Sequence, residues 1–134
     1  MSGVAVVRYL LANNAALIAV VPAARIFAGG IPLNTALPAL GVAQISSVPR
    51  TPVSVPTSGV LQTERVQVTI HAATYPTQKS ILKLAMAACP NQSGTVNGVA
   101  VDSILPAGEG PDLPPDEDGI YEQSFDLMVG WLTA

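Results

Sequence analysis

Residues 65 to 72 read Arg-Val-Gln-Val-Thr-Ile-His-Ala, and no other stretch constrains the chain as tightly. Val66, Val68, Ile70 and Ala72 alternate with Arg65, Gln67, Thr69 and His71. A period of two places the two sets on opposite faces of a strand, so the fold needs a sheet with one apolar face to cover and one polar face. The next segment supplies a cover. Thr74-Tyr75-Pro76 opens a helix, with Pro76 in the first turn, where an amide has no intrahelical partner. Ile81, Leu84, Ala85 and Ala88 form its apolar stripe, Leu82, Met86 and Cys89 widen it, and Pro90-Asn91 ends it.

The remaining elements follow from the same rules. Val4, Val7 and Leu11 stand at helical spacing, with Leu10 beside them and Arg8 opposite, which predicts a short helix over 4–11. Asn13-Asn14 ends it and caps a second short turn over 15–20 that stops at Pro22. Residues 25–28 read as a brief extended piece closed by Gly29-Gly30, and 31–38 as irregular, with Pro32 and Pro38. Residues 39–48 predict a strand, although Leu40, Val42, Ile45 and Val48 alternate imperfectly. Pro49, Pro52 and Pro56 make 49–59 an extended arm. Asn97-Gly98 between Thr95-Val96 and Val99-Ala100-Val101 signals a hairpin turn. An acidic, proline-containing loop is expected over 106–119. The last strand, 121–132, sets Tyr121, Gln123, Phe125, Leu127, Val129 and Trp131 on one face.

A chain of 134 residues is expected to bury one core. The expectation is therefore a single domain over 1–134 of the α+β class: a mostly antiparallel sheet with an N-terminal helix and one amphipathic helix packed on one face. Only 11% of the residues are charged, less than half the roughly 25% usual for soluble domains, so the surface left after the core is filled is uncharged and partly apolar. Another protein covering it is the simplest explanation. No apolar run reaches the roughly 18 residues that cross a bilayer, and the first residues lack the basic region and processing site of a secretory signal. With Cys89 as the single cysteine, no internal disulfide can form, which agrees with a reducing compartment.

The charges are unevenly placed. Residues 1–83 hold all six cations (Arg8, Arg25, Arg50, Arg65, Lys79, Lys83) and one acid, Glu64, whereas 84–134 hold eight acids and no cation. If these sets lie on opposite sides of the monomer, copies can meet head to tail and close into a ring. Candidate contact residues are Arg50, Arg65 and Lys79 on one side and Asp112, Asp116, Glu117 and Asp118 on the other. Simple solvation of both sets, or neutralisation within one monomer, remains open.

Catalytic and ligand-binding chemistry finds little to work with. A hydrolytic triad needs a base, and His71, the single histidine, sits mid-strand with no nucleophile elbow near it. Its expected role is pairing across strands or with a neighbouring subunit. One cysteine and one histidine fall short of a four-ligand zinc site, and the acids at 112–118 lack the spacing of a calcium loop. Gly29-Gly30 and Gly108-Glu109-Gly110 match no phosphate-binding motif. No cofactor is expected. With a sequence pI near 4.8 and 4% aromatics, sequence-specific nucleic-acid binding is not expected, although Arg50, Arg65 or Lys79 lining a ring would meet DNA passing through it by its phosphates alone.

One order of segments is nevertheless familiar. Arg25-Ile26, then Leu37-Pro38-Ala39-Leu40 leading into a strand, a Pro-rich arm, the strand Arg65-Val66-Gln67-Val68-Thr69-Ile70-His71-Ala72-Ala73 and a helix opening at Thr74-Tyr75 resemble the tail-completion, or tail-terminator, proteins of long-tailed bacteriophages. The resemblance spans roughly residues 4 to 132 in element order; the acidic insertion at 106–119 departs from it. It implies a virion subunit, not an enzyme, that assembles as a hexameric ring on the tail tube, stops its polymerisation and presents a surface to the head-tail connector. A connector ring protein and a small-ligand binding module are the competing expectations.

Overall fold

In the computed structural model, which describes residues 2–50 and 59–133, the alternating segment is the axis of the sheet. It extends further than its alternation, as strand β3 over Leu61–Ala72. The sheet order is β1-β2-β3-β6-β5-β4, formed with β1 (Ile26–Ala28), β2 (Ala39–Arg50), β4 (Gly94–Val96), β5 (Val99–Glu109) and β6 (Tyr121–Leu132). Every pairing is antiparallel except β1 with β2, which is parallel. Among the described residues three α-helices complete the fold: α1 (Ser2–Ala12), α2 (Ala15–Ile18) and α3 (Tyr75–Ala88). This is the expected α+β class.

Helices α2 and α3 each start on a side-chain cap, the first of them expected from Asn13-Asn14. The Asn14 side chain accepts from the Leu17 amide at 3.0 Å, and the Thr74 hydroxyl accepts from the Thr77 amide at 3.3 Å, each satisfying a donor that the helix cannot. Helix α1 packs on β1, β2, β3 and β6, and α3 on β3 and β6. Between helices and sheet lie Val7, Leu11, Leu40, Val66, Val68, Ile70, Ile81, Phe125 and Leu127 in one core cluster. Removing a side chain such as Ile70 from water contributes about 1.5–3 kcal/mol. The sheet is curled: Ala28 at one edge and Asn97, in the turn at the other edge, border the same groove beside α1.

Three sequence expectations are corrected by the structure. Arg25 belongs to a 3-10 turn over Ala23–Arg25, and the extended piece starts at Ile26. Strand β2 continues through Pro49 and Arg50, which were expected in the arm; residues 51–58 of that arm lie outside the described residues. Likewise β5 continues through Pro106 to Glu109, so the acidic loop is shorter than 106–119. Both prolines sit where no strand lies on the outer side, because β1 pairs only with residues 40–42 and β4 only with 99–101. An edge strand accepts proline because no neighbour needs its missing amide. The imperfect alternation of β2 has its cause in a bulge at Ile45, where the register against β3 shifts between Gln44 and Ser46.

Glu64, which entered the sequence reading only in the charge count, lies inside. It continues the inward set of β3, two residues before Val66, and is fully buried. Its carboxylate accepts hydrogen bonds from the Gly3 and Val4 amides at 3.3 and 3.0 Å and from Trp131 Nε1 at 3.3 Å. The orphan donors of the α1 N-terminus and the positive end of its dipole thus face a buried anion.

Candidate assembly surfaces

Of the candidate contact residues Arg65 lies on the polar face of β3, Arg50 on β2, Lys79 on α3 and the acids in the loop before β6, and the structure pairs several of them within the chain. Arg65 Nε meets Asp126 Oδ2 at 2.7 Å and its Nη2 donates to the Ala107 carbonyl at 3.2 Å, while Gln67 donates to the other Asp126 oxygen at 3.2 Å. His71 Nε2 lies 2.8 Å from Glu122 Oε1, directly opposite it in the β3–β6 register. That is the cross-strand pairing expected of a polar-face histidine.

Lys79, on α3, reaches the acidic loop. Its Nζ bonds Asp112 Oδ1 and, at 2.6 Å, Gln123 Oε1, while Tyr75 donates to Asp112 Oδ2 at 2.7 Å. The ammonium also lies 5.1 Å from the centre of the Tyr75 ring, within cation-π range. The hydrogen bond with Asp112 raises the Lys79 pKa, and the same bond, followed by that from Tyr75, lowers the Asp112 pKa. Further along, Asp116 Oδ1 accepts from the Asp118 and Ile120 amides at 2.9 Å each, which folds the loop back toward β6. The side chains of Glu117 and Asp118 stand exposed. Arg50 is exposed at the end of β2, its Nε donating to Thr63 Oγ1 at 3.2 Å.

So the structure unites Lys79 with Asp112, keeps Arg65 for Asp126, and leaves Arg50 apart from the loop acids. Strand order nevertheless turns part of the sequence asymmetry into a spatial one. β1, β2 and β3 come from the cation-bearing half, and β6, β5 and β4 from the acid-bearing half.

Two apolar features escaped the sequence reading. One is a cleft of about 430 Å3 between the C-terminal end of α3 and β5, lined by Met86, Cys89, Ile104, Pro106, Phe125 and Leu127 with Glu109 beside them. Burial pushes the Cys89 thiol up to about 12, so the cleft presents a protonated thiol and the Met86 thioether. The other is Leu33, 94% exposed in the β1–β2 loop. Its one sequence signal was a lone leucine between Pro32 and Asn34 in a stretch with no period.

Among the described residues no three His, Cys, Asp or Glu side chains are grouped to hold a metal ion, and no helix is long and apolar enough to cross a membrane.

No protein-family model matches the chain, and no curated protein sequence matches it. Its fold is shared with a chain in the structure described as "Virion of native gene transfer agent (GTA) particle". The TM-score is 0.65 at 14% sequence identity, over 97% of this chain and 94% of the other. At that identity the likeness shows the fold.

Proposed function

We propose that this chain is a structural, non-enzymatic component of a phage-like virion, and more narrowly a tail-terminator subunit. Six copies close into a ring on the end of the tail tube, stop its growth and offer a surface to the head-tail connector, with DNA passing through the opening. The observation that carries the reading is the end-to-end fold likeness to a chain of a gene transfer agent virion. Three features support it. Charge is sparse; large apolar side chains such as Val48, Leu105 and Leu132 are exposed on the sheet; and the β2–β3 hairpin carries seven consecutive exposed residues, 44–50. Each would be a liability in a permanent monomer.

Arg50, Glu117 and Asp118 are the candidate contact residues with side chains exposed and available to a partner or to DNA phosphates. Arg65, Lys79, Asp112 and Asp116 act by holding the loop and sheet that present them.

The test is the mass of the protein by light scattering, alone and mixed with its tail-tube protein, with tube lengths read by electron microscopy. The expected outcome is a closed ring of uniform mass, free or on tube ends, and tubes that cease to lengthen. Rings that ignore the tube but bind the portal-side adaptor would instead assign a connector. A protein that stays monomeric with every virion component would remove both.

A further inference from the structure

Asn97-Gly98, which turns the chain from β4 into β5, is the single Asn-Gly pair of the sequence, and Asp118-Gly119 is the single Asp-Gly pair. Both invite the same reaction. A glycine leaves its backbone nitrogen unshielded, so that nitrogen can reach the side-chain carbonyl carbon of the residue before it and close a five-membered imide. Sequence treats the two pairs alike, and the structure separates them.

At Asp118-Gly119 the nucleophile is already engaged. The Gly119 amide donates to the Asp116 carbonyl at 3.0 Å, and the amides on either side, of Asp118 and Ile120, both donate to Asp116 Oδ1 at 2.9 Å. At Asn97-Gly98 both residues are exposed and lie outside the strands. Neither the Gly98 amide nor the Asn97 side chain has a hydrogen-bond partner among the described residues. The space around the turn is open, since a Cβ built on Gly98 would meet nothing within 4 Å. The hairpin is also thinly held: β4 stands at the end of the sheet order and pairs with β5 over three residues. Such short edge elements open locally at small cost, which frees Asn97 from its left-handed φ of 51° to take the backbone angles that ring closure needs.

We propose that Asn97 is a site of spontaneous deamidation in the folded protein. The Gly98 nitrogen attacks Asn97 Cγ and the new N–Cγ bond forms; the Gly98 amide proton passes to solvent, and Nδ2 takes up a proton and leaves as ammonia. One water then opens the imide. Cleavage at Cγ leaves aspartate in an unchanged chain. Cleavage at the main-chain carbonyl leaves isoaspartate, with the chain running through the former side chain and one carbon longer. The two products act differently. Asn97 borders the groove beside α1, whose one charged lining residue is Arg8, so aspartate adds a carboxylate to that groove. Isoaspartate lengthens a two-residue turn that works only at its own length, so the β4 pairing is lost and residues 99–101 of β5 join its open edge. Neither product depends on assembly.

The test incubates the full chain at mildly alkaline pH, folded and in guanidinium chloride, and follows residues 97 and 118 by mass spectrometry with electron-transfer fragmentation, which distinguishes isoaspartate from aspartate. In the folded chain Asn97 should convert to both acids at a rate within about tenfold of that in denaturant. Folding should slow isomerisation at Asp118 by a further factor of about three to ten, because its amide is tied. An Asn97 that reacts in denaturant and stays intact when folded would show that the hairpin holds it out of reach, and would overturn the site. Equal slowing at both positions would overturn the selection of Asn97 by its free amide.

Discussion

The Glu64 carboxylate, buried on the inner face of β3, accepts the Val4 amide of α1 at 3.0 Å. This bond ties the first helix to the middle of the sheet. The approach is so close that a Cβ on neighbouring Gly3 would lie 2.6 Å from Glu64 Oε2. Glycine within a helix ordinarily loses about 0.5–1 kcal/mol against alanine, so propensity alone makes Gly3→Ala stabilising. Displacing a hydrogen-bonded buried carboxylate costs more, about 1–3 kcal/mol. Gly3→Ala should therefore lower the urea midpoint; a raised midpoint would mean that the carboxylate moves aside freely.

Removing the acceptor tests the same tie from the other side. Glu64→Ala leaves the Gly3 and Val4 amides and the Trp131 indole without that partner, and a destabilisation of about 2–4 kcal/mol is expected. Glu64→Gln retains one acceptor oxygen and should lose less. Equal losses in denaturant unfolding would show that packing volume, and not hydrogen bonding, is what matters at this position.

The Lys79–Asp112 pair sets a pH signature. Asp112 has its pKa lowered from 3.8 by its hydrogen bond with Lys79, so the pair's contribution is fully present above that ordinary value and fades as pH falls through the lowered one. Lys79 has its pKa raised from 10.5, so on the alkaline side the contribution fades only as pH rises through the raised value. The melting temperature of Asp112→Asn should accordingly lie below that of the parent at neutral pH, and the two should converge in acid. A gap that persists unchanged to low pH would assign the effect to something other than this ion pair.

Cys89 should be inert while the chain is folded. With its thiol pushed from 9.0 up to about 12 by burial, the thiolate fraction at mild pH falls about a thousandfold. Labelling by a soluble disulfide reagent should be slow in native protein and fast in denaturant. Fast native labelling would show that the cleft opens to reagents.

Asn91 guards the open edge of β5. Its Oδ1 accepts from the Ile104 amide at 3.0 Å, on a strand whose other edge protection is Pro106. Asn91→Ala should destabilise by about 1 kcal/mol and increase aggregation measured by scattering, because it exposes a strand donor to other chains. Unchanged scattering would mean that Pro106 and the register shift between it and Glu109 suffice.

Whatever depends on a few consecutive residues could be read directly. The β3 alternation, the helix opening at Thr74-Tyr75-Pro76, the Asn97-Gly98 turn and the inward set of β6 all rest on local spacing or backbone preference, and the structure has each where the sequence put it. The charge pairs could not be read this way, since any of six cations might meet any of nine acids until β3 lies beside β6 and α3 beside the loop.

Glu64 shows the boundary most sharply. Its position in the alternation already pointed inward, but a charged residue is buried only where partners compensate its lost hydration. The partners at Gly3, Val4 and Trp131 are some sixty residues away in either direction. Pro49 and Pro106 likewise become strand residues only because β1 and β4 are too short to cover them. Local chemistry thus determined which segments are helix or strand and which faces are apolar. Tertiary structure alone decided which edges stay open, which charges are cancelled and where an apolar cleft lies, because those depend on which distant segments share a sheet.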